Sequence, residues 1–577
     1  VKIAELLRET LASNGVDTVI GVPGGQTLGF YHALSQSNGR IRHLTVLDER
    51  TGAYAADAYA RATGKLGVCD GTVGPGATNL VSGLAEALNS SSPILAIVSE
   101  LQSETIHFSE WGTASQGIDQ VELLRPVCKA VYAVREAHEF HYMLNRAILA
   151  ALTGRPGPVA IIIPMDMFET EVVPPRLGSI STSVVRPARS IADPAAVADA
   201  VTLLRDAQRP LLLVGGGAVG CDANEEVLRV AELLQAPVAT TWTGKGIIAE
   251  DHPLALGILG NAAGYPGLED AAKAADLIFM VGTKSSQNST YRWTIPSIGQ
   301  KVIHLDVDGM ETGRVFRTDV SLVGDARLVL TQLADALTGS AKVDRPEWRA
   351  KYSDVLKRAR VELGRQAALD FVPIAPQRVV DEISKAAAAQ DVFVCDASFA
   401  SAWGAMYYSI KQAGRRTIFP RGMAGLGFGL PAAVGAAAGR PDASVFLLSG
   451  DGGFAYSVQE LAVAVKFGLK VRAIVINNGS YGWIKHSYSA RFGGDLAETH
   501  MPRFDYVAVA NGMGCPAIRV EKPEDLAAAL RTAADASGPF LVEVITSAEE
   551  SPIVSHRGKA ADPYKAPADP YAVTENA

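Results

Sequence analysis

Asp451 and Asn478 are the two residues of this chain whose types and spacing point most directly to chemistry. Asp451 stands in residues 449–454 (SGDGGF), and Asn478 stands 27 positions later in residues 477–480 (NNGS). Each stop follows a short, apolar, β-prone run, residues 443–448 (ASVFLL) and 471–476 (VRAIVI), and residues 457–467 between them carry apolar side chains at helical spacing. In such a strand–helix–strand unit the strands run parallel and their carboxyl ends open on one crevice, so Asp451 and Asn478 are predicted to meet there. A carboxylate, a side-chain amide oxygen and a loop carbonyl are hard oxygen donors, suited to Mg²⁺ or Ca²⁺ in company with phosphate oxygens. The candidate metal ligands are therefore Asp451, the Asn478 side chain and the Ser480 backbone carbonyl. Gly450, Gly452 and Gly453 would let backbone N–H groups approach a phosphate at the start of a helix, where the dipole favours an anion. Either tetrad alone reads equally well as a tight turn. Their pairing at this spacing is what indicates a metal-diphosphate site.

The elements that must position these residues belong to an α/β chain. Strand-like and helix-like runs alternate throughout, and three doubly wound parallel-sheet domains are predicted, at residues 1–175, 190–340 and 365–547, with a tail at 548–577. A Pro-, Ser- and Arg-rich stretch (174–189) and a charged helical connector (342–366) separate them. No short-period repeat occurs, but the first and last blocks are expected to share a fold. In the central block a strand-like PLLLV (210–214) precedes a G-x-G-x-x-G match at 215–220, a weak signal on its own for a dinucleotide pyrophosphate.

Composition excludes some classes. With 577 residues, 48% of them hydrophobic, the chain can form several cores. A net charge of −8 and a pI near 5.8 argue against a nucleic-acid partner. Mean hydropathy is +0.14, with no apolar run approaching a membrane span, so no membrane partner is expected. The opening residues 1–15 read as an amphipathic helix with no charged-then-apolar leader. Cys69, Cys128, Cys221, Cys395 and Cys515 lack any close spacing and read as buried thiols of a reducing cytosol, which makes a cytoplasmic location the expectation. His138 and His141 are three apart, and without further ligands the pair reads as incidental.

Gly-Asp-Gly followed about thirty residues later by Asn-Asn resembles the fingerprint of thiamine diphosphate (ThDP) enzymes. The order of motifs resembles, over nearly the whole chain, the acetolactate synthase-like group, which includes acetolactate synthase, pyruvate oxidase, oxalyl-CoA decarboxylase and 2-hydroxyacyl-CoA lyases. The resemblance implies ThDP and Mg²⁺ as cofactors, with a pyrimidine-binding first domain and a diphosphate-binding third domain. It implies that Glu49, at the end of the strand-like run 41–47, activates the coenzyme from a dry pocket that would raise its pKa. It places Gly25 and Gln26 of VIGVPGG (19–25 and the next residue), and Pro75 and Asn79 of GPGATN (74–79), beside the pyrimidine and the substrate. Within RGMAGLGFGLP (421–431), Leu426 aligns with the side chain that folds the two rings together, and the Ala424 carbonyl with the acceptor for the 4′-amino group. Residues 394–403 align with a second diphosphate loop, in which Ser398 and Ser401 are candidate donors, and Tyr481 follows the metal loop. The acid and the metal motif lie in different domains, and the resemblance implies that they meet across a subunit interface, in a homodimer or homotetramer.

The substrate positions depart from acetolactate synthase. Its Phe-Gln-Glu at the acceptor site is Ser115-Gln116-Gly117 here, and its later tryptophan is Ser487, which should enlarge or polarise the pocket. The flavin-contacting arginines are replaced in residues 279–290 by Lys284 and neutral residues, so FAD is weighed below CoA, its ADP moiety, or nothing in the central domain. Lys485 and His486 are candidates for the proton-transfer residue that 2-hydroxyacyl-CoA lyases carry on this helix, and His556, Arg557 and Lys559 of the tail could meet a carboxylate or a CoA phosphate under a closing lid. These departures lead to a carbon–carbon lyase or carboligase acting on 2-hydroxyacyl-CoA or 2-oxo acid substrates through a carbanion/enamine on the coenzyme. The alternatives are a divergent acetolactate synthase condensing pyruvate and a non-catalytic scaffolding homologue.

Overall fold

In the computed structural model, residues 1–173, 187–261, 263–338 and 344–552 are described. The linker residues 174–186 and the tail from 553, with His556, Arg557 and Lys559, lie outside them. Three parallel six-stranded sheets follow one another along the chain.

The first sheet holds β1 (Thr18–Gly21), β2 (Arg42–Thr45), β3 (Gly67–Gly71), β4 (Ile94–Glu100), β5 (Ala130–Ala133) and β6 (Pro158–Pro164), in the order β2-β1-β3-β4-β6-β5. The second holds β7 (Pro210–Val214), β8 (Val238–Thr240), β9 (Ala255–Ile258), β10 (Leu277–Val281), β11 (Lys301–Asp306) and β12 (Val320–Val323), in the order β12-β11-β10-β7-β8-β9. The third holds β13 (Val392–Cys395), β14 (Thr417–Ile418), β15 (Val445–Gly450), β16 (Val471–Asn477), β17 (Ala517–Val520) and β18 (Phe540–Ile545), in the order β14-β13-β15-β16-β18-β17. The third order repeats the first strand for strand, so the expected common fold of the outer blocks is present. The central order is that of the doubly wound dinucleotide fold. Central strands such as β4, β10 and β16 are buried along their whole length, as sheets covered by helices on both faces require.

The outer blocks share one core. Helix α1 (Glu49–Thr63), preceded by the N-cap Asp48 whose carboxylate accepts the Arg50 amide, and helix α2 (Pro75–Ser90) pack on the first sheet. Further along, α3 (Phe399–Tyr407) precedes α4 (Gly429–Gly439), which lies buried between α1 and the third sheet. Small residues make this approach feasible: a Cβ at Gly435 would come within 1.9 Å of the Ala55 carbonyl oxygen. Tyr54, Ala55, Leu430 and Val434 thus belong to one apolar cluster, while the central block has its own, closed by Trp348 and Tyr352 of the connector helix Pro346–Ala367. Among the described residues no helix is long and apolar enough to cross a membrane. All five cysteines are free.

Candidate active site

In an open parallel sheet a ligand crevice forms where neighbouring strands send their connections in opposite directions. In the third sheet that point lies between β13 and β15. Residues 397–400 after β13, 450–453 at the end of β15, and Ile476, Asn478, Ser480, Tyr481 and Gly482 at the end of β16 line one crevice there, with Leu426, Pro376, Trp403 and Glu550.

The two ends read from the sequence meet as predicted. Asp451 opens the short helix α5 (Asp451–Ala455), and its Oδ1 accepts the Gly452 amide at 2.7 Å. Its Oδ2 accepts the amides of Asn478 at 3.1 Å and Gly479 at 2.6 Å. Burial raises the Asp451 carboxyl above its ordinary range, and these amides pull it back down. The Asn478 Oδ1 accepts the Ser480 amide at 3.0 Å, and the Ser480 carbonyl accepts from Gly482 at 2.9 Å, leaving each oxygen a second lone pair. Among the described residues the buried Ser480 Oγ has no hydrogen-bond partner. One carboxylate, one amide oxygen and one carbonyl, beside an unsatisfied hydroxyl, form a donor set that fits a Mg²⁺ completed by phosphate oxygens. Among the described residues no group of three His, Cys, Asp or Glu side chains offers another metal site.

Gly450, Gly452 and Gly453 all line the crevice, for different reasons. Gly450 faces open space, whereas a Cβ at Gly452 would lie 2.7 Å from the Tyr481 ring and one at Gly453 2.9 Å from the Asp396 carboxylate. Close packing by neighbours thus adds to any need for access by a phosphate. Ser398 lines the crevice at φ +67°, and Ala424, on the neighbouring Gly-rich loop, has φ +55°. Gln116 has φ +65° in the first block. Non-glycine residues held in this region concentrate where a fold imposes a functional geometry.

Ser401 corrects an expectation. It is fully buried on α3, its Oγ donates to the Asp396 carbonyl at 2.5 Å, and it does not reach the crevice. Asp396, which the sequence did not single out, organises the loops instead. Its carboxylate accepts from Ala397 N at 2.6 Å, Gly427 N at 3.1 Å and Ser449 Oγ at 3.1 Å, and burial pushes it up to about 6.

Lys485 and His486 are a second correction. They lie on α6 (Gly482–Phe492) but not on the crevice wall. Lys485 pairs with Glu549 at 2.6 Å, and His486 Nε2 lies 3.0 Å from the Ala548 carbonyl, which makes it the protonated nitrogen. Burial lowers the His486 pKa. These contacts pin the segment after β18, and that segment delivers Glu550, held by Gln377 Nε2 at 2.9 Å, to the crevice.

The pyrimidine-side residues assemble at the equivalent point of the first sheet, between β1 and β3. Glu49 is buried at the start of α1, and its Oε2 accepts from Asn79 Nδ2 at 3.0 Å. Pro75 begins α2, and a Cβ on the following Gly76 would lie 3.3 Å from Glu49 Oε1. Gly25 faces open space, and Gln26 bridges Thr72 Oγ1 and Gln116, at 2.8 Å each. Every residue lining the third-sheet crevice lies between 376 and 550, so Glu49 stands outside it within one chain.

Glu86 went unread in the sequence because nothing local marks it. It is a fully buried carboxylate on α2 that accepts the consecutive amides of Gly422, Met423 and Ala424 at 2.8, 2.6 and 3.2 Å. Arg61 Nη2, 3.2 Å away, balances its charge. Glu460, equally buried, reaches the other way: its Oε1 accepts from Thr51 Oγ1 at 2.8 Å and Leu47 N at 3.3 Å, on either side of Glu49. In the central block the Gly-rich turn packs on protein, where a Cβ at Gly215 would lie 2.3 Å from the Gly282 carbonyl oxygen. Lys284, at the place of the missing arginines, donates to the Asn89 carbonyl.

Three family profiles match along the chain: the thiamine pyrophosphate enzyme N-terminal TPP binding domain at residues 1–123, the central domain at 197–333, and the C-terminal TPP binding domain at 396–544. Among curated relatives, a probable acetolactate synthase large subunit of Methanocaldococcus jannaschii is 33% identical over 576 residues, covering 97% of this chain and 94% of that protein. The acetolactate synthase large subunit of Corynebacterium glutamicum is 33% identical over 571 residues, 96% of this chain and 88% of its own. The chloroplastic acetolactate synthase of Arabidopsis thaliana is 32% identical over 566 residues, 95% and 82%. With that likeness running end to end and the motif residues standing at matching switch points of two like sheets, the chain belongs to the ThDP-dependent enzymes of the acetolactate synthase-like family.

Proposed function

We propose that this protein is an acetolactate synthase-type carboligase that uses ThDP and Mg²⁺ to join a 2-oxo acid such as pyruvate to a carbonyl acceptor. The observation that carries this reading is the full-length identity to acetolactate synthase large subunits, which favours it over the 2-hydroxyacyl-CoA lyase reading. That lyase reading drew on Lys485 and His486 as proton carriers, and their contacts to residues 548–549 weaken it.

When bound, the coenzyme supplies an electron sink next to the carbonyl carbon. Asp451, Asn478 and the Ser480 carbonyl would hold the metal, and the amides after β13 and β15 would receive the diphosphate; Leu426 and Tyr481 wall the crevice. Glu49, oriented by Asn79 and buried, is the carboxyl that would exchange a proton with the coenzyme's pyrimidine ring. Gln116, tethered to Gln26, faces the acceptor, and the Ser115 and Gly117 flanks leave room there for a bulkier or more polar partner than pyruvate.

Because every residue lining the Asp451 crevice lies between 376 and 550, we infer a homo-oligomer in which Glu49 of one protomer faces the crevice of another. Purified protein with ThDP, Mg²⁺ and pyruvate should form acetolactate or a longer 2-hydroxy-3-oxo acid when a second 2-oxo acid is added. Turnover only with formyl-CoA and a ketone would restore the lyase reading. Absence of ThDP binding by calorimetry would establish the scaffolding alternative.

A further inference from the structure

Glu49 stands in a turn that its own block does not hold alone. The Val46 amide still bonds to the Gly21 carbonyl on the first sheet, and the Gly52 amide already bonds to the Asp48 carbonyl in α1, both at 3.1 Å. Residues 47–51 are therefore the passage from strand to helix, and the backbone there sets where the Glu49 carboxyl points. Within the first block Asp48 caps the helix by accepting the Arg50 amide at 2.8 Å. The other grips come from the last block. Glu460 Oε1 accepts the Leu47 amide at 3.3 Å on one side of Glu49 and accepts from Thr51 Oγ1 at 2.8 Å on the other. On the same segment the Tyr456 carbonyl accepts from Arg50 Nη2 at 3.0 Å.

Burying Glu460 works against folding, because a carboxyl loses its hydration there. It is fully buried at the start of the helix Glu460–Lys466, and among the described residues its Oε2 has no hydrogen-bond partner. The charges that act on it, Asp48 and Arg50, both belong to the turn it holds and oppose each other. What this burial delivers is one oxygen set against both flanks of Glu49. The Glu49 side chain is otherwise steered by Asn79 Nδ2, at 3.0 Å from its Oε2. A carboxyl that must meet a ring nitrogen tolerates little displacement, since a misplacement near 1 Å can cost on the order of 10²-fold in rate.

We propose that Glu460 is a positioning residue for Glu49: reaching from the last block, it fixes the turn 47–51 and so aims the carboxyl that activates the coenzyme. This rests on the reading of Glu49 as that carboxyl. Glu460 does not line the Asp451 crevice, so it acts through the turn and not by touching coenzyme or substrate.

The test compares Glu460→Ala, Glu460→Gln and Thr51→Val with the wild type, well below their melting temperatures. Deuterium exchange at the thiazolium carbon of bound ThDP, ThDP affinity by calorimetry with Mg²⁺, and amide exchange over residues 47–51 of the coenzyme-free protein by mass spectrometry are followed together. Glu460→Ala should slow exchange at the coenzyme roughly tenfold or more and speed amide exchange over the turn by about the same factor, with ThDP affinity close to wild type. Glu460→Gln keeps an acceptor for the Leu47 amide and should bring both exchanges back toward wild type. A tie that merely stabilised the fold would lower the melting temperature and leave exchange at the coenzyme unchanged in the folded protein. If Glu460→Ala fails to fold by circular dichroism, Thr51→Val, which removes only the hydroxyl, decides: it should slow the same exchange severalfold. Wild-type exchange at the coenzyme in the folded variants, beside slowed exchange in Glu49→Gln, overturns the positioning role and leaves the reading of Glu49 standing. Wild-type exchange in Glu49→Gln as well overturns both.

Discussion

Met423 donates its amide to Glu86 at 2.6 Å, across the boundary between the first and last blocks of the same chain. The amides of Gly422 and Ala424 converge on the same carboxylate, so a buried acid of the first block shapes the loop from which Ala424 and Leu426 address the coenzyme. Hydrogen bonds to a charged group contribute about 1.5–3 kcal/mol each. Glu86→Ala should therefore lower the unfolding free energy by at least ~3 kcal/mol, since it strips several such bonds and leaves the half-buried Arg61 without this partner. It should also weaken ThDP binding, followed by near-ultraviolet circular dichroism, roughly tenfold. Glu86→Gln, which retains one acceptor oxygen, should fall between. Unchanged coenzyme affinity in both variants would show the clamp to be dispensable.

Glu49→Gln removes the exchangeable proton and keeps an oxygen for Asn79. Turnover should fall by roughly 10²–10⁴, the usual worth of a general acid–base group, while ThDP still binds. Deuterium exchange at the coenzyme's thiazolium carbon, measured by NMR after acid quench, should slow in parallel. Exchange at the wild-type rate would remove Glu49 from the chemistry.

Asp451→Ala should abolish Mg²⁺-dependent ThDP binding, and a chelator should do the same to the wild type. If Glu49 and Asp451 of one chain serve different sites, chains carrying Glu49→Gln and chains carrying Asp451→Ala should complement each other. Statistical reassembly of an equal mixture into two-fold pairs predicts about a quarter of wild-type activity, because half the pairs are mixed and each regains one intact site. Mixtures that stay inactive after verified exchange would place both residues in one intrachain site.

Glu460 should make stability depend on pH. Burial pushes its carboxyl up to about 7, from an ordinary value of 4.5, and among the described residues its buried Oε2 has no partner. Between those two values the folded protein keeps the proton that the unfolded chain releases, so this group's contribution to stability falls as pH rises through the window and levels off above about 7. Glu460→Gln keeps an acceptor for Thr51 and Leu47 and cannot ionise. Its melting temperature relative to wild type should rise between pH 5 and pH 8, by the equivalent of up to ~3 kcal/mol. A difference independent of pH would mean that Glu460 ionises freely in the folded state.

What the chain declares by itself is short-ranged. Apolar runs ended by SGDGGF and NNGS determine a parallel strand–helix–strand unit, and the geometry of that unit brings Asp451 to Asn478 wherever the rest of the protein lies. The alternation of elements likewise announced three α/β blocks. Side-chain direction was not legible in the same way. Ser398 and Ser401 look alike in sequence, but α3 turns one to the crevice and the other toward the Asp396 carbonyl. Lys485 and His486 read from sequence as proton carriers, but the segment after β18, more than sixty residues away, holds them both.

Tertiary structure alone decided that Glu86 and Glu460 clasp the outer blocks, that Glu49 stands outside the crevice of its own chain, and that Arg421 stacks on Trp242. The reason is physical: turns and periodicity are dictated by neighbours a few bonds away, whereas the partner of a buried charge is whichever distant segment packing delivers to it.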